Sequence, residues 1–330
     1  MTDTALVIGG TRFIGRHTVA ELLANGYQVA MLNRGTRENP FADEPRVTHV
    51  EGDRTNRTDL RTAALSTDPD VVIDCVAYRP VDVETATDVF ADVDAYVYVS
   101  SGSAYAAEEI PKREDDTPLR PCTPEQAESD ADSTYGNRKA GGDRAVFAAA
   151  EAGVNAMAVR PTIVYGPNDY TERLDYWIDR VISHDRVIVP GDGDSIWQLA
   201  YVEDVASALR IVAERGEPGA AYNVGDRRAL TLAETVSEIA AAADTECEVV
   251  PASADALAAG DLTPDEFVLY REYPHLLETC SLAALGWEST PVAEAMARSV
   301  ADHRDSNRDG SKWDPGRARE ERVLGVKDTL

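Results

Sequence analysis

The 330-residue chain is 43% hydrophobic, enough to bury a full core and to form one large domain with a smaller one beside it. Its net charge of -27, from 59 acidic and 32 basic residues, opposes binding to nucleic-acid phosphates and fits a surface suited to a salt-rich cytoplasm, so a halophilic source is expected. No run of about 18 apolar residues occurs, and "TALVIGG" follows the start with no basic leader or cleavage site, which predicts a cytoplasmic protein with neither a membrane helix nor a secretory signal.

In chain order, "ALVIGG" (5–10) is a short apolar run closed by glycines, and "RHTVAELLANG" (16–26) has helical spacing, with Val19, Leu22 and Leu23 on one face. "YQVAMLNRG" (27–35) and "VTHVEGD" (47–53) read as the second and third strands. "TDLRTAALS" reads as a helix, "PDVVIDCVAY" (69–78) as a fourth strand and "VETATDVFADV" as a helix. "AYVYVSSGSAY" (95–105) is a fifth strand. The helix "YGNRKAGGDRAVFAAAEAG" (135–153) leads into a sixth strand, "NAMAVRPTIVYG". Strands alternating with helices predict an α/β fold, a doubly wound parallel sheet covered on both faces.

Beyond about residue 166 the alternation fades. "TERLDYWIDRVI", the run after "QLAYVEDVA", and "LTLAETVSEIAAAAD" read as helices of a smaller, mixed C-terminal lobe. The expected division is 1–166, with returning segments near 196–225, as the nucleotide-binding domain, and 167–195 with 226–330 as the substrate lobe and tail. The acidic segment 106–134 carries four prolines and reads as a long surface loop, either a functional cover or a solvated insertion. The polar tail from Asp302 is expected to pack loosely. The cysteines Cys75, Cys122, Cys247 and Cys280 form no C-x-x-C pair and lie beside no metal-spaced histidines, so no metal site is expected and a reducing setting fits.

Two motifs carry chemistry. Gly9, Gly10 and Gly15, in "GGTRFIG" with Thr11, Arg12, Phe13 and Ile14 between them, follow a strand and open a helix. Backbone N–H groups and the positive helix end suit a pyrophosphate there. The second strand ends at Asn33-Arg34. An acid at that point would receive a ribose 2′-OH, whereas Arg34 suits a 2′-phosphate. After the third strand, Asp53 either accepts from an adenine amino group or caps the next turn, and Arg54 beside it is a further cofactor-binding candidate. The second motif is "YGNRK". It places Tyr135 and Lys139 one helical turn apart, where a cation favours a phenolate able to exchange protons. The serines of "SSGSAY" close the fifth strand, at the end where open α/β sheets place ligands.

With these pieces in order, the chain resembles the extended short-chain dehydrogenase/reductase family, of the NAD-dependent epimerase/dehydratase type, over roughly residues 4–300. The glycine loop, "GD" at 52–53, "VSSGSAY", "YGNRK", "RPTIVYGP" (160–167), "YVEDVA" (201–206) and "LGW" (285–287) carry the resemblance. It implies a Rossmann fold and hydride transfer between a nicotinamide cofactor and a sugar-like substrate. By motif, Tyr135 is the acid/base, Lys139 binds the nicotinamide ribose and eases the ionisation of Tyr135, and Ser101 orients the substrate, with Ser100 and Ser103 as alternates. The resemblance also implies a homodimer through the Tyr-Lys helix and its neighbour.

The chain departs from the pattern at several points. Arg12 replaces the middle glycine of the usual loop; with Arg34 it resembles the basic pair of NADP-preferring members, so NADP is preferred and NAD remains possible. Asp74 stands where a His is common. Gly102 and Ser103 replace the Asp-Glu of the sugar 4,6-dehydratases, which disfavours dehydration. Ile163 and Trp197-Gln198 replace substrate-binding residues of the sugar-nucleotide epimerases. Ser103, Tyr165 and Trp197 remain substrate candidates, Trp197 as a stacking platform for a sugar or as a core residue. The expectation is therefore an NAD(P)-dependent oxidoreductase or epimerase on a sugar or sugar nucleotide. The alternative is a non-catalytic nucleotide-sensing or RNA-associated protein, since "GGTRFIG" also resembles chloroplast stem-loop RNA-binding relatives of the family.

Overall fold

The computed structural model describes residues 3–328. The first half alternates strand and helix: β1 (Thr4–Ile8), α1 (Phe13–Ala24), β2 (Gln28–Asn33), β3 (Val47–Glu51), α2 (Arg57–Thr67), β4 (Val71–Asp74), α3 (Pro80–Val89), β5 (Ala95–Val99), α4 (Pro124–Glu128), α5 (Tyr135–Glu151) and β6 (Ala156–Pro161). The second half continues with β7 (Ile163–Tyr165), α6 (Arg173–Ser183), β8 (Arg186–Pro190), β9 (Leu199–Tyr201), α7 (Val202–Arg215), β10 (Ala221–Val224), α8 (Leu232–Ala243), β11 (Glu248–Ala252), α9 (Ala254–Ala258), α10 (Cys280–Ala284), α11 (Val292–Arg304) and α12 (Arg317–Lys327).

The chain divides into two compact units, the first comprising residues up to Thr162, Val202–Gly225 and Leu277–Glu288. Its seven strands form one parallel sheet in the order β10-β6-β5-β4-β1-β2-β3, a doubly wound Rossmann-type α/β architecture. The strands β4, β5 and β6 are buried at every position, as a sheet covered on both faces requires, while the edge strand β3 is largely exposed. The order reverses at β1, whose partners are β2 and β4. Loops after β1 and β4 therefore diverge at the carboxyl edge and leave the crevice where such sheets take ligands.

Several boundaries differ from the sequence reading. The run 69–78 pairs as a strand only over Val71–Asp74, because Asp74 turns its carboxylate onto the Val76 N–H and ends the ladder. The single strand expected over 155–166 is two: β6 joins the main sheet and β7 pairs with β9 in the other unit. The segment 106–134 is largely exposed but is tied to its unit at several points. Lys112 is 1% exposed and Thr117 is buried. Tyr105 and Leu119 form an antiparallel bridge, and the Asn223 N–H and amide donate to Glu114 Oε1 and the Lys112 carbonyl.

The second unit comprises Ile163–Tyr201, Asp226–Leu276 and the chain from Ser289. It holds the two-stranded parallel pairs β7–β9 and β8–β11, with α6, α8 and α11 packed together. The tail, expected to be loose, is anchored: α12 buries Val323 and Glu320, and the Glu320 carboxylate accepts from Tyr176 and Arg180. Among the described residues no helix is long and apolar enough to cross a membrane.

Candidate active site

The glycine loop sits at the crevice in a form only glycine permits at two positions. Gly9 has a φ of 96°, and a Cβ there would lie 2.6 Å from Val76. A Cβ on Gly15 would lie 2.2 Å from the Gly9 carbonyl oxygen, so this glycine is what lets α1 start against the end of β1. Arg12 is the N-cap residue of α1, extended and exposed; no side chain caps the helix and its first turn holds no acid. The positive end of α1 is thus directed at the crevice with no acid in its own first turn, a fit for the pyrophosphate of a dinucleotide. Thr11 and Ile14 are half-buried beside it, and Phe13 is buried.

At the end of β2, Asn33 Oδ1 accepts from the Gly35 N–H at 2.9 Å and lies 3.0 Å from His49 Nε2, while Arg34 is exposed. Asp53 Oδ1 accepts from the Thr55 N–H and hydroxyl, which hold its carboxyl below the usual range, so this side chain does cap a turn. Arg54, the cofactor-binding candidate beside it, does not point into solvent. It is buried, with its guanidinium on Asp74 and Asp82.

On the other side of the switch point, α5 begins at Tyr135. A Cβ on Gly136 would fall 2.3 Å from the Ser103 carbonyl oxygen, so the bare glycine lets the first turn of α5 close on the turn Gly102–Ala104 after β5. That contact brings half-buried Tyr135 beside the serine cluster. Ser101 is 9% exposed, and its Oγ accepts from the Ser103 N–H at 3.1 Å; Ser103 is exposed, and Ser100 Oγ is buried with no hydrogen-bond partner.

Lys139 is 2% exposed. Its Nζ donates to the carbonyls of Ala77 and Val99, each at 2.8 Å, and lies 5.8, 5.1 and 4.8 Å from the ring centroids of Tyr135, Tyr78 and Tyr98. Burial lowers its pKa to about 8, with Asp74 and Asp143 opposing that fall. Of the surrounding tyrosines, Tyr98 is fully enclosed and burial drives its phenol well above its usual range, which removes it as a proton carrier. The sequence did not reveal this aromatic enclosure: Tyr78 and Tyr98 have no distinctive spacing from Lys139 and meet it only through the strand order.

In the second unit, Tyr165 is buried and donates to Asp226 at 2.9 Å, with its ring 5.7 Å from Tyr201. Trp197 is half-buried, with the Arg271 guanidinium 5.3 Å from its ring centroid and His275 packed on edge. Among the described residues no group of three or more His, Cys, Asp or Glu could hold a metal ion.

Known proteins share this sequence in part and this fold. The Haloferax volcanii low-salt glycan biosynthesis protein Agl12 is 28% identical over 313 residues, covering 86% of this chain and 92% of that protein. The Arabidopsis thaliana chloroplast stem-loop binding protein of 41 kDa b is 24% identical over 239 residues, 69% of this chain; the chain spans 60% of that relative's length. The structure of dTDP-glucose 4,6-dehydratase from Bacillus anthracis, solved in complex with NAD, superposes with a TM-score of 0.73 at 19% identity, covering 94% of this chain and 98% of that one, a likeness of fold. The model of the NAD dependent epimerase/dehydratase family matches residues 5–225, well over half of the sequence, and the chain belongs to that family.

Proposed function

We propose that the protein is an NAD(P)-dependent oxidoreductase or epimerase acting on a sugar or sugar nucleotide, with Tyr135 as the acid/base. The observation that carries this reading is the convergence of Tyr135, Lys139 and Ser101 at the carboxyl edge of the sheet, with the glycine loop on the same edge. A bound nicotinamide cofactor would supply the hydride acceptor. Tyr135 takes the proton of the substrate hydroxyl, Ser101 holds the same oxygen in place, and the charged ammonium of Lys139 stabilises the phenolate. With two of its three N–H bonds spent on Ala77 and Val99, Lys139 keeps one for a ribose hydroxyl.

Gly9, Gly10, Thr11, Phe13, Ile14 and Gly15 would hold the pyrophosphate, and Asp53 the adenine end. Arg12 and Arg34, with the neutral Asn33 in place of an acid, favour NADP over NAD. Arg54 serves the site from inside the core. Gly102 and Ser103 lack the carboxylates that water elimination needs, so the reading favours epimerisation or simple oxidoreduction over 4,6-dehydration. The names of the relatives support sugar chemistry: one makes a glycan and one acts on dTDP-glucose. Tyr165 and Trp197 remain the substrate-side residues of this reading, the latter as a stacking platform. A cytoplasmic homodimer from a halophile completes it.

The chloroplast stem-loop relative favours a second reading, a nucleotide-sensing or RNA-associated protein on the same fold. Against it stand the net charge of -27 and the assembled Ser101-Tyr135-Lys139 set. Incubation with NADPH, NADH and a panel of sugar nucleotides separates the readings. Net cofactor consumption indicates a reductase, and epimerised product without net consumption an epimerase. Binding of RNA with no turnover on any sugar nucleotide overturns the enzyme reading.

A further inference from the structure

Arg54, which follows β3, and Asp74, which ends β4, meet in the core. Their side chains form an ion pair, 9% and 0% exposed. Arg54 Nη1 also donates to the Asp82 carbonyl at 3.1 Å and lies 3.3 Å from its carboxylate, in the first turn of α3. Each carboxylate fixes one end of the segment between them. Asp74 Oδ1 accepts from the Val76 N–H at 3.1 Å, and Asp82 Oδ2 accepts from the Tyr78 and Arg79 N–H groups at 3.0 Å. The Tyr96 hydroxyl donates to Asp74 Oδ2 at 3.1 Å. The clamped segment contains Ala77, whose carbonyl receives the Lys139 ammonium.

We propose that the Arg54–Asp74–Asp82 cluster is the positioning device of Lys139: it fixes the carbonyl that aims the ammonium, and the Asp74 carboxylate keeps that ammonium charged in a dry site. A buried cation held by carbonyl dipoles alone pays a desolvation cost that favours its neutral form. The groups facing Lys139 are Asp74 and Cys75 from the end of β4, Asp82 from α3, Tyr78 from the segment between them, Tyr98 from β5, and Asp143 and Tyr135 from its own helix. Asp74 is the foremost of the charges holding the Lys139 pKa up. The inference rests on the proposed function only in giving Lys139 a task beside Tyr135.

The sequence has four lysines, Lys112, Lys139, Lys312 and Lys327, so lysine labelled with carbon-13 at Cε gives a spectrum in which Lys139 is assigned by its loss in Lys139→Arg. The wild-type Lys139 signal is expected to titrate near pH 8. In Asp74→Asn it is expected to titrate at least about one pH unit lower, a tenfold change in its acid dissociation constant, with kcat down about tenfold and KM within about twofold. Should Asp74→Asn fail to fold, the double variant Arg54→Leu with Asp74→Leu replaces the pair by apolar side chains, a change that buried ion pairs often tolerate. The same lowered titration and reduced kcat are expected in it. A lowered melting temperature with an unchanged Lys139 titration would make the pair merely structural and overturn the proposal. The titration reads without turnover, so a wild type inactive on every sugar nucleotide would sink the enzyme reading and still decide this one.

Discussion

The first unit has two sets of cations near the crevice, and their surroundings are opposite. Arg12, at the N-cap of α1, and Arg34, just after β2, are exposed. Lys139, on α5, and Arg54, which reaches from the end of β3 to Asp74 of β4, are buried, and carbonyls, carboxylates and aromatic rings replace the water around them. An exposed cation is inexpensive to carry and is available to a ligand, so its contribution should be read in ligand affinity and should weaken with salt. A buried cation is held in one geometry by its partners, so its contribution should be read in rate and in pH dependence.

The largest effect expected from this contrast is at Lys139. Lys139→Met removes the buried charge and should lower kcat by about 100-fold or more, measured under saturating cofactor. A loss confined to KM would place Lys139 with the ligand-facing cations instead. Gly15→Ala comes next: its Cβ would meet a backbone oxygen that no rotamer change can move. It should destabilise the fold by about 1–3 kcal/mol in denaturant melts and weaken cofactor binding. The exposed pair is tested by Arg12→Gly with Arg34→Ala, which should weaken NADPH binding by about tenfold or more while leaving NADH within about twofold, by calorimetry. Equal losses for both cofactors would make these arginines scaffold residues.

The pH dependence sharpens the buried side. Lys139 is charged below about pH 8 and neutral above it, so turnover that needs the ammonium should fall as pH rises through about 8. A flat rate profile from pH 7 to 10 would contradict it. The smallest and most diffuse effect concerns the surface as a whole. With a net charge of -27, the melting temperature should fall as salt is removed, and unchanged stability in low salt would end the halophilic reading.

Much of the fold was legible because periodicity and glycine spacing are local. The alternation of elements through β6, the helix starting at Tyr135 and the βα turn at Gly9–Gly15 all follow from short-range patterns. The split between β6 and β7 was not, since one continuous apolar run feeds two sheets and only the partner strands distinguish them. The burial of Lys112 and the anchoring of α12 by Glu320 escaped for the same reason: a charged residue reads as exposed until its distant partners are known. Within the candidate site, Tyr135, Lys139 and Ser101 are visible as motifs. The pairing of Arg54 with Asp74 is not, because nothing within the 20 residues separating them signals a contact.

The central claim is that Tyr135 exchanges the substrate proton, and Tyr135→Phe tests it most directly because it deletes one oxygen and leaves the ring over Lys139. Turnover on an identified sugar-nucleotide substrate should fall by at least about 100-fold while cofactor and substrate bind within about twofold of wild type. Unchanged turnover in the folded variant would contradict the account.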